Sequence, residues 1–280
     1  MFGNGALQGK SVLVTGGGTG IGTACAAALA ADGASVTICG RTESKLLEAA
    51  ARIVPGNGGS IRTIVADVTD ERQVIAALAF TTEETGTLHG VVANAGGGGG
   101  MGPYHLQDTA EFLRVLHLNV LGTMLCIKHS IPLMYAAGGG SFIGMSSIAG
   151  GTTHPGFGAY TVGKAGIEAM IRNAADEFGV SNIRFNAIRP GFVSTEIMEG
   201  IPRDSEVYAS YIANTPMAGV AEPDDVGMLA RFLIGPESRW ITGQIIGVDG
   251  GHSLRCGPDF GQFLRPAFSP EVYAGKSPTA

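Results

Sequence analysis

Tyr160 and Lys164 stand four residues apart in the run Ala159-Tyr-Thr-Val-Gly-Lys-Ala-Gly-Ile-Glu-Ala-Met170. On a helix, positions i and i+4 share one face, so a phenol and an ammonium at that spacing can enter one pocket. A free tyrosine has a pKa of roughly 10 and is a poor proton donor or acceptor at neutral pH. A fixed positive charge nearby favours the phenolate, so the pair is a way of making tyrosine a working acid/base. The same spacing also arises when an aromatic ring packs over a lysine stem.

A second constellation lies near the start of the chain. The apolar run Ser11–Thr15 leads directly into Thr15-Gly-Gly-Gly-Thr-Gly-Ile-Gly22 and then into small residues of helical character. Glycines there let the backbone approach a pyrophosphate, whose charge is met by amides at a helix N-terminus. Gly16, Gly20 and Gly22 have the spacing Gly-x3-Gly-x-Gly. A literal Gly-x-Gly-x-x-Gly occurs at Gly97, Gly99 and Gly102, but Pro103 follows it and no helix begins at once. The strand–turn–helix context favours the first.

These residues need a scaffold. Apolar runs predict strands at Ser11–Thr15, Ser35–Cys39, Ile61–Ala66, Leu88–Asn94, Ser141–Met145, Ile183–Ile188 and Gln244–Val248. Amphipathic stretches predict helices at Gly20–Ala31, Thr42–Ile53, Glu71–Glu84, Tyr160–Phe178 and Pro223–Leu233, with two more within Ala110–Ala137. Strands apolar on both faces that alternate with helices predict an α/β fold: a doubly wound, Rossmann-like parallel sheet with helices on both faces, in a single domain. Ligands then bind at the carboxyl ends of the strands. No linker interrupts the chain before about residue 252, so residues 1–252 form the dinucleotide-binding and catalytic domain. Residues 253–280 form a Pro-containing C-terminal extension without helical period, which packs on a neighbouring subunit, covers a site or hangs loosely.

Composition narrows the function class. Of 280 residues, 45% are hydrophobic and only 15% charged, a globular enzyme-like balance. The net charge is −6 with no basic run, which argues against nucleic-acid and membrane-surface partners. Cys25, Cys39, Cys126 and Cys256 are scattered without zinc-site spacing, so no metal site is expected and free thiols in a reducing compartment are the economical reading. The first ten residues show no signal-peptide pattern and no run of about 18 apolar residues marks a membrane span, so the expected location is cytoplasmic.

With its glycine turn and Tyr160/Lys164, the chain resembles the short-chain dehydrogenase/reductase family, in its shorter branch, over about Lys10 to Gly251. The resemblance runs in order through Thr15–Gly22, Asp67-Val68, Asn94-Ala-Gly-Gly97, Asn119, Ser147, Tyr160 with Lys164, Pro190-Gly191, Thr195, Gly243-Gln244 and Val248-Asp-Gly-Gly251. It implies an oxidoreductase that interconverts an alcohol and a carbonyl with a nicotinamide cofactor. Ser147 would hydrogen-bond the substrate oxygen, with Ser146 as its rival. Tyr160 would exchange the proton, and Lys164 would hold the nicotinamide ribose and lower the Tyr160 pKa. Asn119 would anchor a water joined to Lys164, unless its amide simply bonds backbone.

For the cofactor the resemblance implies Gly16, Gly18, Thr19, Gly20, Ile21 and Gly22 at the phosphates, and Asp67 and Val68 near the adenine. Asn94, Ala95 and Gly96 follow the fourth strand, and Pro190, Gly191, Val193 and Thr195 lie by the nicotinamide. NAD-preferring members usually end the second strand with an acidic residue. Here Gly40 takes that position and Arg41 follows, which favours NADP(H), because an arginine clasps a 2′-phosphate; NAD(H) is the other candidate. The glycine turn carries no second cation. His154 and Phe157 in the Gly150–Gly158 loop would wall the substrate, beneath a lid at Glu196–Met217 offering Ile197, Met198, Ile201, Tyr208, Tyr211 and Met217. Trp240–Gly251 implies a subunit interface and a homotetramer, with a dimer as the alternative. Two alternatives stand beside an alcohol/ketone oxidoreductase. One is a 3-oxoacyl or enoyl thioester reductase of the same fold; the other is a dinucleotide-sensing protein without turnover.

Overall fold

The computed structural model describes residues 5–277, with the side chains of Ile197 and Glu199 outside the description. Seven strands form one sheet: Ser11–Thr15 (β1), Ser35–Gly40 (β2), Ser60–Val65 (β3), Gly90–Ala93 (β4), Gly140–Met145 (β5), Ile183–Pro190 (β6) and Ile245–Val248 (β7). Their order is β3-β2-β1-β4-β5-β6-β7, with every pairing parallel. The chain reverses its winding between β1 and β4, and such a switch point leaves a crevice beyond the strand ends. Thr15 pairs with Ala93 at that place.

Strand alternation divides the core in two. Val12 and Val14 of β1, Ile38 of β2 and Val92 of β4 face a cluster with Cys25, Leu29, Leu46, Val226 and Leu233. Leu13, Cys39, Val91, Phe142 and Phe185 face the opposite cluster with Leu78, Leu125, Ile167 and Ile171. Helices Gly20–Ala31 (α1) and Glu43–Arg52 (α2) therefore cover one face, and Glu71–Thr82 (α3) the other. A buried ion pair between Asp32, at the end of α1, and Arg231 ties the first face together. All four cysteines are free.

The region 110–137, read as two helices, is one helical run of Thr109–Leu116 (α4), a π-turn His117–Leu121 and Gly122–Ala136 (α5). This run, Thr109–Ala136, is by length and composition apolar enough to cross a membrane. Helices buried in a protein core pass the same test, which judges a window's mean hydropathy and does not require an unbroken apolar run. In this fold α4 packs on the long helix Gly158–Phe178 (α6), and α5 packs on α3 and the sheet.

Helices Glu206–Asn214 (α7) and Pro223–Ile234 (α8) complete the body. A reciprocal Glu222–Asp225 capping box and Pro223 at the first turn start α8. The C-terminal extension departs from its expected extended form. It makes two short helices, Gly261–Leu264 (α9) and Pro270–Tyr273 (α10), and buries Phe260 and Leu264 against Tyr211, Phe192 and Ile148. Pro278 and the residues after it lie outside those described.

Candidate active site

One cleft of about 740 Å³ runs along the carboxyl ends of β2, β1, β4, β5 and β6. Its floor begins at the glycine turn between β1 and α1. Gly16 and Gly20 have φ of +66° and +49°, a region that side chains avoid, and a Cβ on Gly16 would lie 2.9 Å from the Asn94 amide nitrogen. That nitrogen donates to the Thr15 and Gly16 carbonyls, and the Ala95 amide donates to the Thr15 hydroxyl. Asn94 and Ala95 thus stitch the end of β4 to the turn. The Thr19 side chain makes no capping bond to α1, which leaves the first amides of that helix facing the cleft without one. Thr195 lies over the turn, its methyl 3.1 Å from where a Gly20 Cβ would be.

Tyr160 is in the first turn of α6 and Lys164 one turn later. Gly163 lets this helix close on the π-turn, since a Cβ there would sit 3.2 Å from the Asn119 Cβ. Ser147 follows the end of β5 and caps a single helical turn, Ile148–Gly150, accepting from the Ala149 amide at 3.2 Å. Its hydroxyl lies near enough to the Tyr160 phenol to favour ionisation there. Ser146 is committed elsewhere: buried, it donates to Glu168 Oε1 at 2.7 Å, while Arg189 donates to both Glu168 oxygens at 2.9 and 2.6 Å. The two serines therefore divide as strand alternation requires.

Lys164 is only 4% exposed, and its ammonium donates to the Met145 carbonyl at 2.8 Å. Burial pushes its pKa down to about 8. Burial raises the Tyr160 pKa, and the nearby Ser147 hydroxyl opposes the rise. The expected lowering of Tyr160 by Lys164 is absent from this structure. The ammonium sits 5.5 Å from the phenol ring centroid and turns to the Met145 carbonyl. Asn119 is wholly buried and bonds backbone: Nδ2 donates to the Gly97 and Val115 carbonyls at 2.8 and 2.9 Å, and Oδ1 accepts from the Gly97 amide at 3.3 Å. It clamps the loop after β4 to the π-turn. Gly96 lies between: a Cβ there would be 2.7 Å from Asn119 Oδ1 and 3.1 Å from Lys164 Nζ.

The remaining expected cofactor residues, Gly18, Ile21, Gly22, Arg41, Asp67, Val68, Pro190, Gly191 and Val193, all line the same cleft. The Gly97–Gly99 part of the literal Gly-x-Gly-x-x-Gly also lines it, yet only a short 3-10 turn, Tyr104–Leu106, follows it, and no α-helix starts before Thr109. Sequence reasoning missed Lys45. It stands one turn beyond Arg41 on α2, its backbone 3.4 Å from a Gly18 Cβ position, and lines the same end of the cleft. Neither cation has an ion-pair partner among the described residues.

At the opposite end, His154, Phe157 and Met198 line the cleft together with Ile148, Phe192, Ile201, Tyr211, Phe260 and Phe263. His154 is 7% exposed, its Nδ1 sits 2.8 Å from the Thr152 carbonyl, and burial lowers its pKa. Nδ1 therefore carries the hydrogen of a neutral ring. Met217 does not share this surface. It is 81% exposed, because it follows α7 on the outside of the lid. Ile197's side chain is outside the described set. Phe260 and Phe263, from the extension, bring aromatic rings into the site; Phe260 lies 4.6 Å from Phe157, centroid to centroid.

The cleft fits a nicotinamide dinucleotide: uncapped amides and a glycine cradle for a pyrophosphate, two cations at one end, and a proton-carrying phenol at the centre. Comparison with known proteins agrees. Residues 16–253 match the family model described as Enoyl-(Acyl carrier protein) reductase. A cis-4-hydroxycyclohexanecarboxylate dehydrogenase from Sinomonas cyclohexanicum is 35% identical over 248 residues, covering 89% of this chain and 98% of that protein. A levodione reductase from Leifsonia aquatica is 32% identical, over 87% of this chain and 94% of that one. A solved structure of a short-chain type dehydrogenase/reductase from Mycobacterium ulcerans superposes with a TM-score of 0.94 at 42% identity, covering 97% of this chain and 99% of that one.

Proposed function

The chain belongs to the short-chain dehydrogenase/reductase family and is an oxidoreductase acting on hydroxyl and carbonyl groups; on that premise we propose that it interconverts a secondary alcohol and a ketone with NADP(H), using Tyr160 as acid and base. The observation that carries this reading is that Ser147, Tyr160 and Lys164, one helical turn beyond Tyr160, line one cleft whose floor is an uncapped helix N-terminus.

The nicotinamide supplies or accepts the hydride. The chain's own residues do the rest. In reduction, Ser147 and Tyr160 donate hydrogen bonds to the substrate oxygen, and Tyr160 gives up its proton as charge grows there. Its raised pKa keeps it protonated for this direction at neutral pH. In oxidation Tyr160 takes the proton from the alcohol. The positive charge of Lys164 assists that step once the ammonium turns from the Met145 carbonyl toward the phenol. Gly96 leaves the space in which it can turn. Asn119 fixes the loop that carries Gly96 and Gly97.

NADP(H) follows from Arg41 and Lys45 flanking Gly40. A carboxylate at the strand end would repel a 2′-phosphate, whereas two cations without partners suit it. The substrate end is apolar and aromatic and fits a ring-bearing ketone or alcohol. Two relatives support parts of this reading: one is named for a hydroxycyclohexane acid, whose ring but not whose carboxylate suits this end, and the other for a dione. Reduction of an acyl thioester is the second reading, favoured by the description of the matching family model. Against it stand the phenylalanines of the extension, which close the substrate end in this chain.

The assembly proposed is a homotetramer. The exposed Trp240, 90% accessible, lies just before the edge strand β7, and Leu113, Met124 and Val162 leave apolar surface on α4, α5 and α6. Four free thiols fit a reducing, cytoplasmic compartment. A screen of ring ketones, secondary alcohols, 3-oxoacyl thioesters and quinones, followed by nicotinamide absorbance, tests the reading. Turnover of ring ketones with NADPH is expected; turnover of thioesters alone would replace it with the second reading.

A further inference from the structure

The substrate end of the cleft is apolar except at two points away from the catalytic pair. Tyr211 projects from α7 with its ring stacked on Phe192 at 4.2 Å and 6°, and it meets Phe260 edge-on at 6.0 Å and 90°. That box holds the ring, while the hydroxyl, with no hydrogen-bond partner among the described residues, opens on the cleft instead of the packed interior, where His252 Nε2 is the one buried side-chain atom left unpaired among those residues. The phenol lies close enough to Tyr160 for the two to influence each other's ionisation. His154 repeats the pattern. Its Nδ1 is held by the Thr152 carbonyl, which leaves Nε2 as an acceptor without a partner among the described residues. Phenylalanine would fill the Tyr211 position without a polar atom, so a hydroxyl that reaches the open cleft from an aromatic box is placed to meet a ligand's polar group, which would leave it unpaired if the ligand were apolar there.

Charge narrows what that group is. The cations lining the cleft are Lys164 at its centre and Arg41 and Lys45 at the far end; none lines the aromatic end. A carboxylate there would lose its hydration without a counter-charge.

We propose that Tyr211 and His154 form a second polar anchor, which selects ring ketones and ring alcohols carrying a further neutral oxygen, a hydroxyl or a carbonyl, away from the reacting carbon. This rests on the alcohol/ketone reading of the site. Tyr211 donates to the second oxygen; His154 Nε2 accepts from it when that oxygen bears a hydrogen. The same anchor discriminates against a ring bearing a carboxylate.

The test compares kcat/KM for hydroxycyclohexanones, the matching methylcyclohexanones and an oxocyclohexanecarboxylate, in the unaltered protein and in Tyr211→Phe and His154→Phe. The expected result is a preference of about tenfold for hydroxyl over methyl, the size of a neutral hydrogen bond, which falls toward unity in each variant. The carboxylate is the poorest of the three. A hydroxyl-to-methyl ratio that is the same in the unaltered protein and both variants overturns the anchor while leaving the reaction class standing. Failure of the unaltered protein to turn over any of the ketones overturns the reaction class and the anchor together.

Discussion

The Lys164 ammonium lies 5.5 Å from the centroid of the Tyr160 ring and gives its hydrogen bond to the Met145 carbonyl, 2.8 Å away. A buried cation so placed is held for use rather than for stability. Burial lowers its pKa from 10.5 to about 8. As pH rises, the folded protein releases this proton near 8 while the unfolded chain keeps it until about 10.5. Over that window the unfolded state binds more protons, so this group's contribution to stability rises with pH. Below it, the buried charge costs about 3 kcal/mol. Lys164→Met should abolish turnover and yet raise Tm by a few degrees at pH 7, and this advantage should shrink as pH climbs from 8 toward 10.5. Melting curves across that range check it; a lower Tm for the variant at pH 7 would contradict it.

In the proposed NADP(H) complex, Arg41 and Lys45 would act on the same phosphate. Arg41→Ala and Lys45→Ala should each weaken NADPH binding by about tenfold or more, the scale of a lost charged hydrogen bond, while changing NADH binding little. Fluorescence titration with both nucleotides decides the matter. Equal weakening of both, or tighter NADH binding by the unaltered protein, contradicts the 2′-phosphate assignment.

In the proposed mechanism, Gly96 leaves room for Lys164 to move. A methyl at this position would meet Asn119 Oδ1 at 2.7 Å and Lys164 Nζ at 3.1 Å. Gly96→Ala should therefore lower kcat by about tenfold to a hundredfold, as small displacements of catalytic groups do. Its circular dichroism should match that of the unaltered protein. Unchanged kcat would show that the ammonium does not need this space.

Much of this was legible in the sequence. Strands apolar on both faces, such as Ser-Val-Leu-Val-Thr, could belong only to a covered parallel sheet, and the glycine turn announced its phosphate-binding shape. Strand ends were less legible: the run Leu88–Asn94 contributes only Gly90–Ala93 to the ladder, because its neighbours decide where pairing stops. Lys45 was invisible because helical periodicity does not say which element α2 begins beside. The extension was misread because its prolines drew attention from a helical spacing at Phe260, Phe263, Leu264 and Phe268. Those residues anchor it, and burying each phenylalanine is worth about 1.5–3 kcal/mol. The state of Lys164 could not be read at all, since it depends on the backbone carbonyl of Met145 across the helix–strand packing.

The central claim is that Tyr160 transfers the proton that accompanies hydride transfer. The direct measurement is a single-turnover reduction of a ring ketone with NADPH by the unaltered protein and by Tyr160→Phe, beside titration of NADPH binding to both. The account predicts at least a hundredfold slower hydride transfer in the variant, in line with general acid–base contributions, with cofactor affinity retained. Hydride transfer at an unchanged rate in Tyr160→Phe would contradict it.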